Sequence, residues 1–209
     1  MVSWATPSRA IVAISAFTRN ELSEVLGVPA DRVRVIRNGV DPVFTPEGHS
    51  EAGEYVLAVG TLEPRKNLAA AVEAARLAGL EVRVVGATGW GGVDVPGWVG
   101  RVDDEALAAL YRGARCLVFP SLYEGFGIPI LEAMACATPV VTSRGGATEE
   151  VAGGAAVLVD PLDVEMIAAG IAVAHERRAE LVPLGLERAA AFTWEAAADS
   201  LEALWRELA

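Results

Sequence analysis

Lysine and histidine are almost missing from this 209-residue chain. Of its 17 basic residues only Lys66 is a lysine, and the two histidines, His49 and His175, have turn-forming or charged neighbours that mark surface positions rather than a catalytic base or metal ligand. Cysteine is equally scarce. Cys116 and Cys136 lie in apolar surroundings, which predicts buried free thiols and argues against a disulfide, a thiolate metal pair or redox chemistry. No run of about eighteen uncharged apolar residues occurs, and residues 1–10 lack the basic and apolar regions of a signal peptide, so a cytoplasmic protein without a transmembrane segment is expected. Positive charge is short as well. A net charge of −11 with no basic stripe excludes wrapping a nucleic-acid backbone. One or two placed cations and a helix N-terminus can still hold a small anion.

Several common site motifs are lacking too. There is no Gly-Lys-Ser/Thr, no G-x-G-x-x-G and no His-Glu-x-x-His. No Asp-x-Asp triplet is present to hold a divalent metal on a diphosphate, so no metal and no separate cofactor are expected.

What is present alternates. Apolar runs at 11–14, 33–36, 55–59, 82–85, 116–119, 140–142 and 156–159 read as short buried strands. Helical spacing recurs between them at 17–26, 67–78, 104–112 and 129–135, the order of a doubly wound parallel α/β sheet. Thr18-x-x-Glu21 is a candidate capping box, Gly27 and Gly79 fall where helices should stop, and Asp103 is placed to cap. From Asp163 onward the pattern is wholly helical, over 164–176, 179–191 and 194–208, with Pro183 and Phe192-Thr193-Trp194 as the expected breaks. The length supports one domain plus an appendage. Residues 38–53, rich in Asn-Gly, Asp-Pro and Thr-Pro, read as the connector between them.

Two loops carry candidate chemistry. In Phe119-Pro-Ser-Leu-Tyr-Glu124-Gly-Phe-Gly127-Ile-Pro129-Ile-Leu-Glu132, a strand ends in a glycine-containing loop that opens a helix, the place where α/β sheets bind ligands. Gly125 and Gly127 should let a ligand approach the backbone, Pro129 suits the first helical position, and amides and helix dipole point at an anion flanked by Glu124 in the loop and Glu132 in the first helical turn. The second loop, Gly60-Thr-Leu-Glu-Pro-Arg65-Lys66-Asn67, should project from the same edge and offer two cations. An arginine-rich chain that keeps its one ammonium there fits a compact charge on phosphate.

These segments resemble retaining GT-B glycosyltransferases of the family 4 type (glycosyl transferases group 1). Glu124 and Glu132 match that family's E-x7-E element. The likeness continues through Gly60–Asn67, Val99–Asp104, Leu110–Ala114, Thr138–Ser143 and Glu150–Ala156, and covers nearly all of the chain from Ala13 onward. The resemblance implies a Rossmann-like, doubly wound GT-B C-terminal domain over 46–209, with 1–45 as a remnant of the N-terminal acceptor domain. It implies that Glu124 contacts the donor sugar, that Glu132 holds the ribose, and that Arg65 and Lys66 neutralise the diphosphate as the catalytic cations. Gly60, Thr61, Arg101, Val102, Gly125, Phe126, Gly127, Ile130 and Leu131 would complete the donor site, with Arg101 and Val102 beside the base. Transfer would retain anomeric configuration by front-face attack and need no metal.

This chain departs from the family pattern in three ways. Thr61 stands where many relatives have Arg, Ala137 where they have Gly, and most of the acceptor half is absent. The resemblance further implies that the helix from Trp194 packs back across the domain interface. The donor expected is a nucleotide-diphosphate sugar, with GDP-mannose first and UDP- and TDP-sugars open; the acceptor is a glycan, lipid or small molecule. The alternative is a non-catalytic nucleotide-sugar-binding module that needs a partner chain. Having both carboxylates and both cations together favours the enzyme.

Overall fold

A computed structural model of the protein describes residues 8–51, 53–91 and 94–209. The elements run β1 (Ile11–Ala13), α1 (Ala16–Leu26), β2 (Val33–Val35), β3 (Tyr55–Val59), α2 (Leu68–Leu77), β4 (Glu81–Val85), β5 (Trp98–Gly100), α3 (Asp104–Gly113), β6 (Leu117–Phe119), α4 (Ile128–Ala135), β7 (Val140–Ser143), α5 (Gly146–Ala152), β8 (Val157–Val159), α6 (Val164–Glu176), α7 (Arg178–Ala190) and α8 (Trp194–Leu208). β1 and β2 form a two-stranded parallel sheet, and the other six form a parallel sheet in the order β5-β4-β3-β6-β7-β8. The expected α/β architecture is therefore present.

Strand periodicity divides the core. Leu57, Leu117 and Val140 face one layer, packed under α3, α4 and α7, while Val56, Val118 and Val141 face the other, under α2 and α6. Both faces are covered, which is why these strands read as continuous apolar runs rather than alternating ones. The chain winds outward from β3 to β5, crosses back to β6 and winds outward to β8, so the switch point lies between β3 and β6. On the other side of β3, Gly86 permits the close approach of the ends of β4 and β3, since a Cβ on it would lie 1.9 Å from the Gly60 carbonyl oxygen.

Four local expectations need correcting. The cap of α1 is Ser15, whose Oγ accepts from the Thr18 amide; Glu21 takes no part, because its carboxylate accepts from the Tyr123 hydroxyl. Pro183 does not separate two helices but lies inside α7, and the break comes earlier, at Arg177. β5 and α5 were not anticipated: β5 is a three-residue, largely exposed edge strand, and α5 begins on glycine. Glu132 is the fifth residue of α4 and so lies in its second turn, not its first. Asp103 does cap α3, Gly27 ends α1 in the left-handed conformation, and Cys116 and Cys136 are buried and free, their thiols pushed up to about 12 by burial.

Candidate active site

The loops after β3 and β6 leave adjacent strands at the switch point and are stitched together. The Leu122 amide donates to the Arg65 carbonyl (2.8 Å). Asn67, left-handed at φ 54°, donates from its side-chain amide to the carbonyls of Pro120 (3.1 Å) and Pro161 (2.7 Å). Those two contacts bind the loop after β3 to the loops after β6 and β8.

Within this frame the three expected catalytic side chains meet. Lys66 Nζ donates to Glu124 Oε1 at 2.5 Å, and Arg65 Nη1 donates to Glu124 Oε2 at 3.0 Å, while Arg65 Nε also pairs with Glu63 at 2.9 Å. The Lys66 stem lies across Gly60, whose Cβ would come within 3.2 Å of it, and its ammonium stands 5.3 Å from the Phe119 ring centroid. Glu124 and Lys66 are mostly buried while Arg65 is 41% exposed. The chain thus holds one sheltered carboxylate between two cations.

The rest of the Glu124 loop is set differently from expectation. Gly127 has φ 117° and requires glycine, but a Cβ on Gly125 would point at the start of α1 and the turn before it, 3.5 Å from Ile14 Cδ1 and 3.7 Å from Thr18 Oγ1, so its bare backbone faces the protein rather than the cleft. Phe126, Ile130 and Leu131 are buried, and Phe126 packs edge-on against Phe192 at 5.9 Å, which leaves only their main-chain atoms for any ligand. Gly127, the N-cap of α4, supplies no side-chain cap, and Pro129 brings no amide; α2 and α5, which open from the same edge, also lack a side-chain cap. By contrast Asp103 and Asp163 cap α3 and α6.

Glu132 is not joined to this cluster by any hydrogen bond or ion pair. It lies further along α4, against α3, where the buried Tyr111 hydroxyl donates to its Oε2 at 2.9 Å. Burial raises its carboxyl to about 7, opposed by the Tyr111 hydrogen bond and assisted by Asp104 and Asp41. Arg101 is exposed and Val102 half-buried in the loop after β5, and the hydrogen bonds and ion pairs of the two cations go to other residues; Thr61 is half-buried in the loop after β3. Asn67, Tyr111 and Ser121 were not singled out beforehand. Among the described residues Ser121 Oγ is the one buried side-chain oxygen lacking a partner.

Residues 43–182 match the family of glycosyl transferases group 1, and residues 2–44 match glycosyltransferase family 4. The chain belongs to the glycosyl transferases group 1 family. It is 35% identical to the O-antigen chain mannosyltransferase B of Escherichia coli, an alignment covering 90% of this chain and 58% of that protein. The chain therefore spans little more than half of that relative's length. Among solved structures, sucrose-phosphate synthase from Thermosynechococcus elongatus superposes with a TM-score of 0.79 at 27% identity, over 95% of this chain and 58% of that one. Anabaena HepE, solved with UDP and glucose, gives a TM-score of 0.79 at 19% identity, over 96% and 63% of the two chains, which is a likeness of fold. The architecture of this family member is the Rossmann-like GT-B one. No helix among the described residues is long and apolar enough to cross a membrane.

Proposed function

We propose that this chain binds a nucleotide-diphosphate sugar and, together with an acceptor-binding half, transfers the sugar with retention of configuration and without a metal. The observation that carries the reading is the Arg65–Lys66–Glu124 cluster at the topological switch point, beside the uncapped N-terminus of α4. The mannosyltransferase relative and the UDP and glucose held by HepE support a nucleotide sugar as ligand, with GDP-mannose the first candidate. Residues 1–45 belong, in this reading, to the acceptor half, and 46–209 to the donor half; acceptor choice lies with the former.

The chemistry follows from the charges. As the diphosphate enters, Lys66 and Arg65 shift onto its oxygens and Glu124 is freed to accept from sugar hydroxyls. The acceptor oxygen then bonds to the anomeric carbon as the carbon–oxygen bond to phosphate breaks, and the acceptor proton passes to a departing phosphate oxygen. No protein nucleophile is used. The two cations and the α4 dipole stabilise the charge that develops on the leaving group, where fixed charges are most effective. Glu132 accepts from the ribose hydroxyls, and the segment at Arg101 and Val102 lies beside the base.

The test is calorimetric titration with GDP, UDP, TDP and their sugars, with and without magnesium, for the parent, Lys66→Ala and Glu132→Ala. Metal-independent binding, weakened about tenfold or more by Lys66→Ala, is the expected result. Binding that requires magnesium would overturn metal independence, and no binding by any nucleotide would overturn the donor site. Binding that never becomes transfer or donor hydrolysis, even with the acceptor half supplied, would leave a nucleotide-sugar-binding module.

A further inference from the structure

The loop that bears Glu124 is gripped on its far side by α1. Ser15 Oγ donates to the Gly125 carbonyl at 2.7 Å and Thr18 Oγ1 donates to the same oxygen at 3.0 Å, so both lone pairs of that carbonyl are used. Two residues earlier in the loop, the Tyr123 hydroxyl donates to Glu21 at 2.6 Å and its ring meets Phe17 edge-on at 5.8 Å. Glu124, between these two anchored residues, points the other way, to Lys66 and Arg65. The helix is itself held down: both oxygens of the Glu150 carboxylate on α5 accept from its first amides, Ala16 at 3.0 Å and Phe17 at 2.9 Å.

We propose that Ser15 and Thr18 are positioning residues for the Glu124 loop, so that α1 sets how the carboxylate is presented to the donor sugar. The inference rests on the donor-site reading above. Two hydroxyls on one carbonyl fix the orientation of the Gly125–Phe126 peptide, one residue past Glu124, which is otherwise free to rotate beside a glycine. Because Gly125 also lies at ordinary contact distance from Ile14 and Thr18, the loop is packed against the start of the helix as well as hydrogen-bonded to it. Sugar recognition depends on the direction of the Glu124 carboxylate, whereas the diphosphate is held chiefly by cations on a different loop. A loosened α1 therefore costs affinity for the nucleotide sugar and spares the nucleoside diphosphate.

The experiment compares the parent with Thr18→Val/Tyr123→Phe, which removes two links and keeps the Ser15 cap, and with Thr18→Ser, which keeps the hydroxyl. Amide hydrogen exchange is followed over residues 121–128 and over α1 without ligand, and GDP-mannose and UDP-glucose are titrated beside GDP and UDP. In the double variant the loop should exchange about tenfold faster with α1 unchanged, and the sugar-bearing ligand should bind about tenfold more weakly while its diphosphate changes less than about threefold. Thr18→Ser should match the parent. Unchanged loop exchange, or equal losses for both ligands, would overturn the proposal. A parent that binds none of the four ligands removes the donor-site reading and the latch's part in sugar binding with it, while the exchange comparison separately reports whether α1 holds the loop.

Discussion

Replacing Glu132 with Gln should make the chain more stable at neutral pH and remove a pH dependence that the parent carries. Burial lifts this carboxyl from its ordinary 4.5 to about 7, with Asp104 and Asp41 adding to the effect and the Tyr111 hydroxyl opposing it. A group whose folded value is raised contributes stability that is complete below its unfolded value and lost as pH rises through the folded one. Between about pH 4.5 and 7 the native chain therefore gives up a benefit of about 3 kcal/mol, the free-energy equivalent of that gap. Gln keeps an acceptor for Tyr111 and has no charge to bury. Urea unfolding of both proteins from pH 4.5 to 8 should show their difference growing across this interval and levelling above it. Parallel curves would refute the reasoning. In the proposed donor site a ribose hydroxyl donating to the carboxylate would favour its ionised form, so nucleotide-sugar affinity should rise with pH through about 7 in the parent and stay flat in the variant.

Two further substitutions test the frame of the site. Ala137, just past α4, is held left-handed at φ 57°; Gly there should stabilise the chain by about 0.5 kcal/mol, the relief of a Cβ strain of roughly 1–2 kcal/mol less the added freedom of the unfolded chain, as read by urea unfolding. Glu150 is pushed upward by burial, but the amides of Ala16 and Phe17 and the Arg37 guanidinium overcome this and leave its carboxyl below 4.5. Its contribution is present above the unfolded value and lost as pH falls through the folded one. Glu150→Gln should therefore cost about 1–2 kcal/mol at pH 7 and progressively less on acidification, measured by thermal unfolding at pH 7 and pH 3.5.

Buried parallel strands are legible because both faces are covered, so Tyr55–Val59 and Val140–Ser143 announce themselves as apolar runs. β5 escapes notice because its three residues lie at an edge and are largely exposed, which removes the hydrophobic signal on which the reading depends. The meeting of Arg65, Lys66 and Glu124 was legible from strand-then-loop order alone: strand ends at one edge of a sheet converge wherever their strands are neighbours. What could not be read was direction. Nothing in Gly-Phe-Gly says that the first glycine faces α1 and that Phe126 turns into the core against Phe192, since both depend on partners 110 and 66 positions away. The same limit hid Ser15: Thr18 and Glu21 had the right spacing for a cap, yet both side chains are taken by the Glu124 loop.

The two carboxylates of the site show why spacing alone assigns them no role. Glu124 lies between a lysine and an arginine, so its charge is compensated before any ligand arrives, and in the proposed site a diphosphate would displace it from those cations. Glu132, eight residues beyond it in chain order, has a tyrosine hydroxyl for its only hydrogen-bond partner among the described residues and two further acids nearby. The first already has its charge matched; the second would gain most from a neutral donor that favours its ionised form. In the proposed donor site, the cationic loop before α2 and a buried phenol on α3, brought to the same helix by the crossing from β5 to β6, would thus give two identical side chains opposite requirements of the same ligand: one would give up positive charge to it, and the other would receive hydrogen bonds from it.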